Sequence, residues 1–260
     1  MPPPPPTGDL VEPFRRDGLT RLPGAFPAAD ADAMAQAVWS ALGRVHGIRA
    51  DERATWPAGE ARGLGLRSDG TFGTIGTDRV EAAIAELVPD RPPPPHDDWG
   101  GPLVTFPSPG PWRVPATGWH LDEPVRGALA YRLLLKWLAY LGPVAAGGGG
   151  TVALAGSHRL VAGWAASAPP DDPGRSAGVR DAVFGRSPWF DRLRHGSADD
   201  RRDDVLRTGE VVGGVPVRVV ELTGRPGDVV FLHPHVLHAA APNTADHPRL
   251  MVTGGLYVPR

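Results

Sequence analysis

A chain of 260 residues with 41% hydrophobic content holds enough apolar material for one substantial core, and 27 basic against 29 acidic side chains (formal net charge −2) provide no generic attraction to nucleic acid or an anionic membrane. Cysteine is absent, which excludes disulfide frameworks, thiolate metal ligands and cysteine nucleophiles, and nothing requires an oxidising compartment. Glycine (34) and proline (31), spread along the chain, call for many turns and little uninterrupted helix.

Met1 and the five prolines after it read as an extended tail over residues 1–8, lacking the basic and apolar sections of a secretory signal. No apolar run reaches the roughly 20 residues that a bilayer span requires. The expectation is a soluble cytoplasmic protein, one domain over residues 9–260, that acts on a small molecule and not on nucleic acid or membrane. Nothing in the pattern specifies an oligomeric state.

Residues 13–22 combine the end of a short helix with a strand. Met34, Val38, Ala41, Leu42 and Val45 then recur at helical spacing, which predicts a helix over 30–46 packed on the outside of a sheet. A second helix is predicted over 78–87, with Val80, Ala83, Ile84 and Leu87 on one side and Pro89 as its stop. Beyond Gly100 the texture changes to short apolar runs at 102–106, 133–141, 151–155, 215–222, 228–233 and 250–258, separated by turn residues that include Gly147 to Gly150. Such runs predict a mainly β fold, an antiparallel barrel or jelly roll. Residues 161–209 break the pattern. Rich in Asp, Arg and Pro, with Trp164, Trp189 and Phe190, they read as a lid or a set of small helices, and the alternating arginines and aspartates near 191–207 as a solvated face. The lid aromatics point to an apolar or ring-bearing substrate. No phosphate-binding loop, dinucleotide fingerprint or nucleophile elbow is present.

The chemistry concentrates in Gly118-Trp119-His120-Leu121-Asp122. On a strand, His120 and Asp122 project from one face and Trp119 and Leu121 from the other. A histidine and a carboxylate side by side are two thirds of a facial metal triad, and burying them without a partner costs several kcal/mol, which a metal removes. The third ligand would come from downstream, where His233, His235 and His238 stand within six positions, beyond the Gly227-Asp228 turn.

His120-Leu121-Asp122, Gly156-Ser157-His158 and the stretch from Gly227 through His238, Asn243 and Arg249, with Phe14, Gly18 and Leu19 near the start, resemble the phytanoyl-CoA dioxygenase family of Fe(II)/2-oxoglutarate-dependent oxygenases from about residue 14 to 258. In that family an Asn lies five residues beyond the distal ligand and the 2-oxoglutarate-binding Arg eleven, an offset that selects His238. The resemblance implies a double-stranded β-helix (jelly-roll, cupin-like) core with flanking N-terminal helices. It also implies Fe(II) on His120, Asp122 and His238, 2-oxoglutarate as co-substrate on Arg249, O2 as oxidant, and release of succinate and CO2. Family members often carry Ser two residues beyond the distal histidine, where this chain has Ala240; Thr151 and Lys136 are candidates to replace that contact. Related halogenases need a small residue at the carboxylate position, so Asp122 favours hydroxylation of a small molecule over halogenation, while desaturation, epimerisation and ring formation share the same ligands. A metal-binding cupin-like isomerase and a non-catalytic ligand-binding protein are the rival readings, and neither requires Arg249.

Overall fold

The computed structural model describes residues 9–67, 69–89, 98–126, 130–195 and 206–259. The expected tail at 1–8 lies outside the described residues. The first part of the chain forms α1 (Val11–Asp17), β1 (Leu19–Leu22), α2 (Ala28–His46), β2 (Gly59–Ala61) and α3 (Asp78–Leu87). There follow β3 (Gly101–Phe106), β4 (Tyr131–Tyr140), β5 (Thr151–Ala155), α4 (Ser157–Ser167), α5 (Ser176–Phe184), α6 (Asp191–His195), β6 (Glu210–Val212), β7 (Val215–Glu221), β8 (Val229–Leu232), β9 (His238–Ala240) and β10 (Arg249–Pro259).

Helix α2 carries Asp30 in its first turn and Arg44 and His46 in its last, signs that suit the helix dipole, and it stops at Gly47 in a left-handed conformation. Helix α3 begins where the Thr77 side chain accepts from the Val80 amide at 3.2 Å. Both helices match the expected spans within two residues. None of the described helices is long and apolar enough to cross a membrane.

All strand pairs are antiparallel, in a six-stranded sheet ordered β1-β8-β4-β10-β3-β2 and a four-stranded sheet ordered β6-β7-β5-β9. Alternation along the strands sorts the side chains into three layers. Trp137 and Ala139 of β4, Val229 and Phe231 of β8, and Leu250 and Val252 of β10 pack outward against Met34, Val38 and Leu42 of α2 and Val80 and Ile84 of α3. Their alternates, Leu138, Tyr140, Val230, Leu232 and Met251, meet Ala153 of β5 between the sheets. Val152 and Leu154 of β5 and Val217 and Val219 of β7 pack outward against Leu160 and Val161 of α4 and Val179 and Val183 of α5. Each Val, Leu, Ile, Phe or Met among them contributes about 1.5–3 kcal/mol by leaving water.

Two sequence expectations need correction. Residues 118–122 form no strand: Gly118 sits at φ 81°, the chain bends at Asp122, and His120 alone makes an isolated bridge. The alternation survives all the same, because Trp119 and Leu121 are buried in the helix-covered core while His120 is exposed on the other side. Within 161–209, Trp189 and Phe190 are core residues, with Phe190 stacked on Phe184 at 5.2 Å. These rings stabilise a helical layer behind the small sheet and do not line a binding cavity.

Candidate active site

Strand parity aims one set of side chains at the space between the sheets. Leu103 and Thr105 share a face with Lys136, Leu138, Arg249 and Thr253 of the larger sheet, and across the gap stand Thr151, His238 and Ala240 of the smaller one. A cavity of about 490 Å³ opens there, bounded by His120, Lys136, Thr151, His238 and Arg249, with Glu60 at its edge. Five of the six sequence-derived site residues therefore meet on one cavity, and the sixth, Asp122, adjoins it through Lys136.

His120 and His238 face each other across a hydrogen-bonded backbone pair, each amide donating to the other's carbonyl at 2.9 and 3.1 Å, with ring centroids 4.3 Å apart. Ligand atoms from His120, His238 and Asp122 all lie within 4.8 Å of one another. His120 Nδ1 is 2.8 Å from the Gly118 carbonyl and His238 Nδ1 is 2.9 Å from that of Val236. Carbonyls only accept, so Nδ1 is the donor in both rings and each neutral imidazole keeps its Nε2 lone pair. Burial first, then the nearby Lys136 ammonium, pushes His238 down to about 4, against the opposing pull of Asp122. His238 is therefore neutral at pH 7.

Asp122 is held differently at its two oxygens. Oδ1 accepts from Lys136 Nζ at 2.5 Å, while Oδ2 is buried with no hydrogen-bond partner. Burial works to raise this carboxyl, but His238 and Lys136 outweigh it and hold it below the usual carboxylate range. Two imidazole lone pairs and an orphaned carboxylate oxygen are a donor set for a divalent cation, and the residues present fit one.

At the far side of the cavity Arg249 is 1% exposed. Its Nη2 donates to Thr105 Oγ1 at 2.7 Å, its Nη1 to the Gly149 carbonyl, and its Nε is buried without a partner. No carboxylate in the described residues forms an ion pair with it; burial pushes it down to about 10, opposed by the more distant Glu60. An unpaired buried guanidinium is costly, and it marks a place for an anion. Thr151, itself buried, is the direct strand partner of Ala240, so its hydroxyl stands beside the position from which a serine is missing.

Three supporting residues carry roles that sequence reasoning did not assign. Thr105 pairs in register with Arg249 across β3 and β10, a relation visible only once the sheet is built. Ser157 is fully buried and its Oγ accepts from the Leu237 amide at 2.9 Å, fixing the residue before His238. Asn243, named only for its offset, donates to the carbonyls of Thr105 and His247 at 3.0 and 2.8 Å and so sets the turn into β10. Gly149 sits at φ 76° and a Cβ there would come within 2.8 Å of Asn243, so this turn needs a glycine.

His233 and His235 lie elsewhere, in a line with His158 whose ring centroids are 5.2 and 5.3 Å apart. Burial first, then neighbouring positive charge, pushes His233 down to about 3 and His235 to about 4, and burial lowers His158 as well. His233 and His235 are neutral when folded at pH 7 and titrate near 6.5 when unfolded. The contribution of these two to stability is complete above about pH 6.5 and drains away as pH falls toward 4, by about 1.4 kcal/mol per pH unit for each of the two. Melting temperatures between pH 7 and 4 should therefore fall steeply, and His233→Phe should flatten the slope; an unchanged slope would remove His233 from the account.

A second cavity, about 480 Å³, lies on the other flank of Asp122, lined by Arg67, Glu123, Leu133, Tyr131 and Tyr257. Those two tyrosines are 59% and 49% exposed and are two of the four large apolar side chains left in solvent among the described residues.

The sequence model of the family described as phytanoyl-CoA dioxygenase (PhyH) matches residues 14–251. The chain belongs to the phytanoyl-CoA dioxygenase family. Solved structures of similar fold include the non-heme α-ketoglutarate-dependent epimerase SnoN from nogalamycin biosynthesis (18% identity, TM-score 0.51, covering 96% of this chain and 81% of that one). AviO1 from Streptomyces viridochromogenes Tue57 is similar at 17% identity and TM-score 0.52, over 95% of this chain and 93% of the other. HygX from Streptomyces hygroscopicus, solved with nickel and 2-oxoglutarate bound, is similar at 14% identity and TM-score 0.53, over 98% and 88%. At these identities the likeness concerns the fold of the phytanoyl-CoA dioxygenase family. No curated protein matches the chain by sequence.

Proposed function

We propose that the protein is an Fe(II)- and 2-oxoglutarate-dependent oxygenase that hydroxylates a small molecule. The observation that carries this reading is the placing, on one cavity, of a buried guanidinium with no ion-pair partner among the described residues, Arg249, and of the two histidines of a His-Asp-His cluster whose ligand atoms lie within 4.8 Å of one another. His120, Asp122 and His238 would hold the iron, and Arg249 the distal carboxylate of 2-oxoglutarate, with Thr151 and Lys136 completing its polar surroundings. Bound iron would supply the activation of O2 coupled to decarboxylation of 2-oxoglutarate: R–H, 2-oxoglutarate and O2 give R–OH, succinate and CO2. The chain's own part is to keep the His238 imidazole neutral, to hold Asp122 ionised, and to bring an anion into the cavity between the two sheets.

The substrate would enter by the second cavity, where Tyr131 and Tyr257 offer ring faces and Arg67 a cation beside Asp122. This suits a ring-bearing secondary metabolite or amino-acid-like compound in place of an acyl-CoA, and it moves the expected aromatic contacts from the 161–209 segment to the rim formed by β4 and β10. The two sheets fit a jelly roll, and the enzyme would work in the cytoplasm. Succinate should form from 2-oxoglutarate when Fe(II), ascorbate and O2 are supplied, slowly and uncoupled at first, then faster with a substrate from a panel of ring-bearing compounds. Metal binding without any succinate, across that panel, would favour an isomerase or a binding protein instead.

A further inference from the structure

Among the described residues that line the cavity of Arg249, Glu60 of β2 is the one carboxylate. It pairs in register with Thr105 of β3, which in turn pairs with Arg249 of β10, so Glu60, Thr105 and Arg249 form one row across three strands with their side chains on one face. Thr105 Oγ1 accepts from Arg249 Nη2 at 2.7 Å, which turns that end of the guanidinium along the row. The Glu60 carboxylate is held at the rim instead, where Arg62 Nε and Nη2 both donate to its Oε2 at 2.8 and 2.5 Å. We propose that Glu60 is an internal rival of the 2-oxoglutarate carboxylate for Arg249, and that Arg62 is the positioning residue that keeps this rival off the site, a role that rests on the reading of Arg249 as the anchor of the co-substrate.

Two strand spacings of about 4.8 Å separate Glu60 from Arg249 by about 10 Å along the row, a gap that two extended side chains close. A buried guanidinium without an ion-pair partner draws an anion strongly, because the interior screens charge poorly. Burial works against the charge on Arg249, and Glu60 is the first charge that opposes it. The restraint at the rim is weak by comparison. The Arg62 and Glu60 side chains are 83% and 25% exposed, and an ion pair so open to solvent contributes little. Its strength lies in placement: the Arg62 carbonyl accepts from His46 Nε2 at 2.7 Å, which ties the backbone of this residue to the end of α2. Without the Arg62 guanidinium the Glu60 carboxylate is free to turn inward, and 2-oxoglutarate must then displace it.

Calorimetric titration of 2-oxoglutarate into Co(II)-loaded wild type, Glu60→Gln, Arg62→Met and the double variant tests this. Arg62→Met should bind 2-oxoglutarate about threefold to tenfold more weakly, because only the fraction of molecules with Glu60 turned outward is competent. Glu60→Gln should bind at least as tightly as wild type, and the double variant as tightly as Glu60→Gln, since Arg62 has nothing left to restrain. Glu60→Asp keeps the charge but is one methylene shorter, and it should likewise restore binding in the Arg62→Met background. An Arg62 that attracts the co-substrate by its own charge would weaken binding equally in both backgrounds, and that additivity overturns the proposal. Weaker binding in Glu60→Gln than in wild type overturns it as well. Should Arg62→Met fail to fold, Arg62→Gln takes its place with the same expectations. Wild type that binds no 2-oxoglutarate overturns the reading of Arg249, whereas equal affinity in wild type and all variants overturns only the rivalry of Glu60.

Discussion

His238→Ala should lose metal binding by well over about 100-fold, beyond the range seen when an outer-shell partner of a metal ligand is removed, and metal-dependent succinate release should vanish with it. The backbone bridge to His120 uses only main-chain atoms, so the variant keeps the pairing that positions the other ligands and is expected to fold. His235→Ala is the matched control. It stands three residues earlier, half-buried beside His233, outside the cavity that His120 and Arg249 share. Titration with Co(II) and a 2-oxoglutarate turnover assay separate the two; retention of both properties in His238→Ala with loss in His235→Ala would assign the third ligand wrongly.

Arg249→Met is the second large effect. Truncating one member of a buried, hydrogen-bonded charge pair costs about 2–5 kcal/mol, so binding of 2-oxoglutarate to metal-loaded protein should weaken by roughly 30-fold or more, measured by calorimetry. Co(II) affinity should stay near wild type, because Arg249 makes no contact with the His-Asp-His cluster; its hydrogen bonds go to Thr105 and Gly149. The metal-free variant should also lose little stability: two hydrogen bonds disappear, but so does a fully buried cation without an anionic partner. Unchanged 2-oxoglutarate affinity would end the role proposed for this residue.

Much of this site was legible before any coordinates. The family resemblance, through its +5 and +11 offsets, proposes His238 and Arg249, and the alternation around His120 and Asp122 predicts correctly that Trp119 and Leu121 turn to the core and His120 away from it. That alternation does not require a strand, since Gly118 breaks the extended run and a single bridged residue is enough to keep parity. The long helices were readable because a stripe such as Met34, Val38 and Leu42 exists only for a helix laid on a core. Short strands such as β2, β6 and β9, three residues each, leave too little periodicity to recognise. The roles of Thr105 and Ser157 depend on register and on contacts between segments distant in sequence, which no local pattern encodes. Composition cannot distinguish a ring packed against helices from one lining a pocket, so the sequence leaves both readings open for the aromatic residues near 189, and the packing of Trp189 and Phe190 selects the core.

The bridge between residues 120 and 238 joins two points of the chain more than a hundred residues apart, with nothing but one reciprocal pair of main-chain bonds and the side chains around it. Each named strand pair has three or more residues in register against one here, so this seam is among the weaker joints of the described architecture. An ion gripping the imidazoles on both sides of the seam would act as a clasp, and occupancy and local order there become a single equilibrium.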